Sequence, residues 1–209
     1  MHDKDCPEVP DIHIELVLPE YEFVLPEFKP KFSLLGIFRP KKKQTQEYGR
    51  IIEFGLRIVN NSEEPIRLNL YGGLRPEILD DRGQAIKNLF FCRRENKLFL
   101  ENFPLLLPQG EHTTPIMVVL RYLMKEGCNF SVMRNDGCTH SYMLSYPATY
   151  KIRLLYKSTV DESVEEEVYD RENAIWKRID KILKGSLSTP YVDFCLSQHQ
   201  ESVQPNSKR

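Results

Sequence analysis

The chain has 209 residues, of which 28% are charged and 41% hydrophobic, and its 29 Lys+Arg against 30 Asp+Glu leave a formal net charge of −1. A domain of that size buries roughly 70% of the surface its unfolded chain exposes, so a core forms without a metal or disulfide staple. Near-neutrality excludes a global field that would draw the whole molecule to nucleic acid or to an anionic membrane, and any such contact has to be local.

The first distinctive stretch repeats a V-L-P-E-aromatic unit, Val17-Leu18-Pro19-Glu20-Tyr21 and Val24-Leu25-Pro26-Glu27-Phe28. Each proline removes a ladder donor, which predicts two short edge segments, or an arm lying over another surface, rather than one central strand. Residues 1–47 are therefore expected as an N-terminal arm with edge segments and a basic loop, 48–197 as the main domain and 198–209 as a disordered polar tail.

From Ile52 onward the period is two. Ile52, Phe54, Leu56 and Ile58 share one face against Glu53, Gly55 and Arg57, and the run stops at the turn-forming cluster Asn60 to Pro65. Ile66, Leu68 and Leu70 alternate again. Glu77 to Leu79, the turn Asp80-Asp81-Arg82-Gly83, and Ala85-Ile86 read as a hairpin. Leu98 to Leu107, broken by prolines, suits short edge strands, and further strands are expected at Thr114–Tyr122, Thr149–Tyr156 and Tyr191–Leu196. Between the last two, Ile175, Ile179, Ile182 and Leu183 fall at helical spacing, with Asp170 to cap the start and Gly185 the end, and this predicts one short helix from Arg171 to Leu183. Trp176 would then cover an edge or open end of the core. The whole predicts a mainly β, antiparallel sandwich with one short helix near the C-terminus.

Met1 to Glu8 lacks the apolar region of a secretory signal, and the longest apolar run, Ile116–Leu120, is strand-sized. A cytoplasmic address with no membrane contact is expected, and with it free thiols at the five cysteines. The sequons at Asn60 and Asn129 are then chance matches.

Catalytic signatures are absent: there is no phosphate-binding glycine loop, no H-E-x-x-H, no G-x-S-x-G and no paired C-x-x-C. A non-enzymatic protein without cofactor or metal is expected. Cys128, Cys138 and His140, in the glycine-bearing loop Gly127 to Ser141, have the ligand types for zinc, but their spacing matches no common zinc pattern and no fourth ligand is evident, so ordinary thiols in a variable loop are the simpler reading. Cys92 and Cys195 read as small core residues.

Contact with a protein partner is the expected role. The aromatic rings of Tyr21, Phe23 and Phe28 would serve as anchors, Trp176 as a further exposed ring, and Lys41, Lys42 and Lys43 as a charged loop. Phe38 and Tyr48 flank that loop and could stack on bases, a weaker reading. A cationic stretch from Lys29 to Arg50 and an acidic one from Asp161 to Glu172 could attract each other. The alternatives are a small-molecule or glycan site near Tyr122, Tyr142 and Trp176, and a metal site at the Cys128, Cys138 and His140 group.

The run Phe54 to Ile66 resembles the early strand and turn of intracellular immunoglobulin-like sandwiches. Asp80-Asp81-Arg82-Gly83, Leu107-Pro108-Gln109-Gly110 and Tyr146-Pro147-Ala148-Thr149-Tyr150 are similar to later turns of that group, which includes the bacterial intracellular proteinase inhibitor type. The resemblance covers Tyr48 to Tyr156 and implies a fold. Gln109 before the glycine and Ala148 in place of a glycine depart from the pattern, and no inhibitory residue carries over.

Overall fold

The structure, a computed structural model, describes residues 11–25, 49–70, 72–92, 98–123, 127–134, 137–158 and 166–198. The N-terminal repeat resolves into two edge strands. β1 (Ile12–Val17) buries Ile12, Ile14 and Leu16, and β2 (Glu22–Leu25) buries Phe23 and Leu25. β1 lies antiparallel to β3 (Gly49–Asn60), from Ile12 opposite Asn60 to Val17 opposite Gly55. β2 instead joins the other sheet, so the chain changes sheets at Pro19, where a ladder donor is missing.

β3 carries the alternation expected of it, with Ile52, Phe54, Leu56 and Ile58 buried. Asn60 ends it. Its wholly buried amide donates to the carbonyls of Glu64, Leu106 and Leu107 and accepts from the Ser62 amide and hydroxyl. That side chain fixes the turn and is not presented as a glycan acceptor.

The second alternating run is shorter than its pattern. Only β4 (Ile66–Arg67) is regular, pairing with β7 (Leu105–Leu106), while Leu68 and Leu70 are buried beyond it. β5 (Leu74–Leu79) enters the Asp80 turn, where Oδ1 accepts from Arg82 and Gln84 and Gly83 takes φ +76. The hairpin begins with Leu79 opposite Ala85, and the chain then crosses to the other sheet as β6 (Asn88–Cys92). A 3-10 turn at Leu100–Asn102 precedes β7.

The remaining strands are β8 (Glu111–Leu123), β9 (Gly127–Met133), β10 (Cys138–Leu144), β11 (Ala148–Ser158), β12 (Glu166–Asp170), β13 (Ile175–Ile179), β14 (Gly185–Ser188) and β15 (Val192–Gln198). One sheet runs β1-β3-β8-β9-β10-β6, and the other places β11 between β5 and the β14–β15 line, with β2 beyond β15. All these pairings are antiparallel except β15 with β2.

The sheets face each other. Phe23 and Phe194 from one sheet meet Phe54 and Phe130 from the other, with ring centroids 5.4–6.2 Å apart along the chain of contacts Phe23–Phe54, Phe54–Phe130 and Phe130–Phe194. Aromatic pairs at such distances add about 0.5–1.5 kcal/mol each beyond their buried area. The fold is mainly β and sandwich-like.

Two expectations need correction. No helix spans Arg171 to Leu183: β12 and β13 form a hairpin, with Asp170 opposite Ile175 and Glu166 opposite Ile179. Asp170 caps, but it caps the hairpin turn, accepting from the Glu172 and Asn173 amides. The hairpin packs Val168 and Ile179 on Phe103, and Arg171 lies 3.6 Å over the Phe99 ring and pairs with Glu101. The stretch from Gly127 to Ser141 is no variable loop. It supplies β9 and most of β10, interior strands whose Cys128, Phe130, Val132, Cys138, His140 and Tyr142 all point inward.

Candidate interaction surface

The outer face of the six-stranded sheet is assembled by register. Ile51, Val119, Ser131, Ser141 and Leu89 stand in one row across β3, β8, β9, β10 and β6. In the next row Glu53 faces Met117, and Met133, Thr139 and Phe91 continue it. A third row pairs Arg121 with Asn129 and Asn129 with Met143. Ile51 is 68% exposed and Phe91 63%, and Met117, Met133 and Met143 are exposed beside them.

The serines at the centre do not make this face polar. Both are buried, their hydroxyls lie 2.8 Å apart, and Ser131 donates to Asn129 Oδ1, so their hydrogen-bonding capacity is used within the sheet. With strands about 4.8 Å apart and rows about 6.8 Å apart, the face measures about 19 by 14 Å. That is about 270 Å², a patch of ordinary size for a monomer, with exposed Glu53 and Arg121 among its rows. Methionine suits such a face, since its unbranched thioether adapts to different partner shapes.

Among the described residues β6 closes this sheet on one side, and its backbone direction follows from β10. The Cys138 carbonyl accepts from the Arg134 amide, so Cys138 turns its backbone groups toward β9. By the two-residue period, Thr139 and Ser141 turn theirs toward β6 and bond Phe91 and Leu89. The N–H and C=O groups of Asn88, Phe90 and Cys92 therefore point out of the sheet. The 4.0 Å Cα separation of Cys92 and Cys138 agrees, being that of a pair without mutual backbone bonds.

The inner side of this edge holds His140, buried and beneath the Phe90 ring at 4.8 Å. Nδ1 lies 2.7 Å from the Asn88 amide and Nε2 3.4 Å from Arg134 Nη1. Arg134 can only donate, so Nε2 accepts and Nδ1 carries the proton; Asn88 Nδ2 faces Nδ1 while Asn88 Oδ1 is buried without a partner, and turning that amide over lets Oδ1 take the proton. Burial first, then Arg134 and Arg75, pushes His140 down to about 4. Arg134 also lies 5.8 Å over Phe90 and donates to the Gly72 carbonyl.

The residues singled out from sequence are dispersed. Phe23 is 0% exposed and belongs to the core, which corrects its reading as a surface anchor. Tyr21 is exposed, and its carbonyl accepts from the Cys195 amide as β2 joins β15. Trp176 is 58% exposed on β13, edge-on to Tyr169 at 5.4 Å. Phe28, Lys41, Lys42 and Lys43 lie outside the described residues, as do most of the cationic stretch and residues 161–165 of the acidic one.

Tyr122, Tyr142 and Trp176 do not line one pocket. Tyr142 is buried, donates to the Pro76 carbonyl at 2.6 Å and is pushed up by burial. The crevice between the sheets at Leu70, Leu74, Ile116 and Leu154 has a volume of about 10 Å³, room for one water at most.

The three metal-type residues are separated as well. Cys128 pairs with Leu144, six residues along β10 from Cys138, which is about 20 Å of strand. Cys138 is disulfide-bonded to Cys92, correcting the expectation that both are free thiols. Among the described residues no group of three or more His, Cys, Asp or Glu is placed to hold a metal ion, and no helix is long and apolar enough to cross a membrane.

Sequence reasoning missed Leu89, Phe90 and Phe91. The available signal was Asn88 to Cys92, five uncharged residues with no proline. No family model matches the chain, and no curated protein or solved structure is similar enough to count as a match.

Proposed function

We propose that this chain is a non-catalytic, immunoglobulin-like interaction module that binds a protein through the outer face of its six-stranded sheet. The observation that carries this reading is the exposure of Ile51, Met117, Met133, Leu89 and Phe91 in adjoining rows on one side of the sheet, around two central serines satisfied internally. An apolar face of this kind suits a protein partner and has little to offer phosphate groups.

The immunoglobulin-like assignment is supported by neighbour relations. β3 lies between β1 and β8, and β11 between β5 and β15, as the A-B-E and C-F-G strands do in such sandwiches. Tyr150, near the start of β11, donates to the Ser145 carbonyl five residues upstream, which is the bond of a tyrosine corner. β9, β10 and β6 extend this plan and make the wide outer face.

Buried chemistry favours a role without turnover. Burial pushes the Cys128 thiol up to about 12, which leaves it unreactive, and His140 is held neutral beside two arginines with no nucleophile among its partners. A disulfide persists where the compartment is oxidising, so the Cys92–Cys138 bond weighs against the cytoplasmic address expected from sequence.

The test is site-specific photocrosslinking in native lysate, with the photoreactive residue placed at Met117 or at Lys151 in the opposite sheet. The same discrete product from Met117, lost with Ile51→Glu and absent from Lys151, is the expected result. Equal capture from both positions, or no capture, contradicts it.

A further inference from the structure

β6 differs from β1, β2 and β5, while β14, four residues of Gly-Ser-Leu-Ser, shares its lack of charge and proline but is short. β1 exposes His13 and Glu15 along its length with Asp11 just before it, β5 carries Pro76 between Arg75 and Glu77, and β2 has four residues with Glu22 at its start and Pro26 next in sequence. Charge, proline and shortness are the usual means of keeping an edge from pairing with another chain. β6 has no charge and no proline, and it presents exposed Phe90 on one face and Leu89 and Phe91 on the other. Its three outward residues offer six backbone groups for hydrogen bonding.

The surroundings of this apolar edge are cationic. Exposed Lys87 adjoins it, Arg134 lies over Phe90, and Arg75 and Arg134 both act on His140 behind it. Glu77, on β5 of the other sheet, is engaged by Arg153 and Tyr191, each at 2.6 Å. A second copy of the chain paired edge to edge would bring these same cations against each other. An occupant with acidic ends would have them neutralised.

We infer that β6 is a docking edge for an extended peptide segment of a partner protein, apolar at its centre and acidic at its flanks, which adds to the six-stranded sheet as a further strand. Asn88, Phe90 and Cys92 supply the backbone ladder, Phe90, Leu89 and Phe91 the apolar contacts, and Lys87, Arg75 and Arg134 the preference for acidic flanks. The inference deepens the protein-contact reading by naming the partner's chemistry.

The test titrates the full chain into a labelled synthetic peptide, Asp-Asp-Val-Leu-Val-Phe-Val-Asp-Asp, at low salt. Three comparisons accompany it: the same peptide with Lys for Asp, a version N-methylated at alternate residues on its bonding edge, and the Phe90→Pro protein. The expected result is saturable binding, at least tenfold weaker with the lysine peptide and lost on N-methylation. Phe90→Pro removes an outward N–H without breaking a β10 bond, and it weakens binding at least tenfold, more than Phe90→Ala does.

No binding of the acidic peptide, equal binding of the lysine or N-methylated peptide, or a dimer of the free chain dissolved by Phe90→Pro overturns the inference. Should Phe90→Pro fail to fold, the N-methylated peptide decides alone. Ile51→Glu, across the sheet, is expected to leave peptide binding within twofold while abolishing the Met117 crosslink, so loss of one reading is distinguishable from loss of the other.

Discussion

Thr189 occupies the break between β14 and β15, where Pro190 prevents one continuous strand. Its amide donates to the Leu154 carbonyl, and its Oγ1 accepts from the Leu154 amide, so one side chain replaces the missing ladder partner. Thr189→Val keeps the shape and removes the acceptor, leaving a buried N–H unsatisfied. A loss of about 1–3 kcal/mol is expected in denaturant unfolding, with unchanged m. His140 makes the second residue-scale case. It stays neutral in the folded state down to about 4, whereas the unfolded chain takes up the proton near its ordinary 6.5. Its contribution is complete above pH 6.5 and is lost as the pH falls through the window from 6.5 to about 4, because the unfolded state binds more protons there. Stability measured across that window is expected to fall by at most about 1.4 kcal/mol per pH unit on its account, and His140→Gln should flatten the slope. An unchanged slope in the variant would contradict the assignment.

At the level of elements, the strands β3, β8, β11 and β15 were legible because each buries one face and exposes the other, and the two-residue period survives in the side chains. β9 and β10 obey the same period, but their inward set includes Cys128, Cys138 and His140, residue types that suggest ligands before they suggest core. The supposed helix failed for an arithmetic reason. Ile175 and Ile179 are four apart, a spacing that serves a helix turn and also one face of a strand, and Val168, Tyr169, Ile175 and Trp176 are the β-branched and aromatic types that favour strands. Asp170 satisfies two turn amides just as a helix cap would, and Lys177 and Asn173 hold its carboxyl well below the usual carboxylate range. Asp170→Ala is expected to speed amide exchange across residues 166–179 while β3 and β11 keep their protection. The Cys92–Cys138 bridge closes a separation of 46 residues, and reduction of the oxidised protein is expected to cost about 2–4 kcal/mol, read from the unfolding midpoint with and without reductant.

For the molecule as a whole, the two-layer architecture was legible in the sequence, whereas the outer face proposed for partner contact was not. Phe23 was a natural candidate for an exposed anchor because prolines flank it, yet the chain switches sheets at Pro19 and Phe23 packs on Phe54 and Phe194. The outer face could not be read locally, since Ile51, Met117, Met133 and Phe91 are far apart in the chain and meet only through four strand registers. What unites the face and β6 is continuity of one sheet that ends in an uncharged edge. Residue-resolved amide exchange of the free chain tests that claim most directly. The expected pattern along β6 is fast exchange at Asn88, Phe90 and Cys92 and slow exchange at Leu89 and Phe91. Uniform protection through Asn88–Cys92 would mean that the edge is already covered, and uniformly fast exchange would mean that β6 is not held in the sheet.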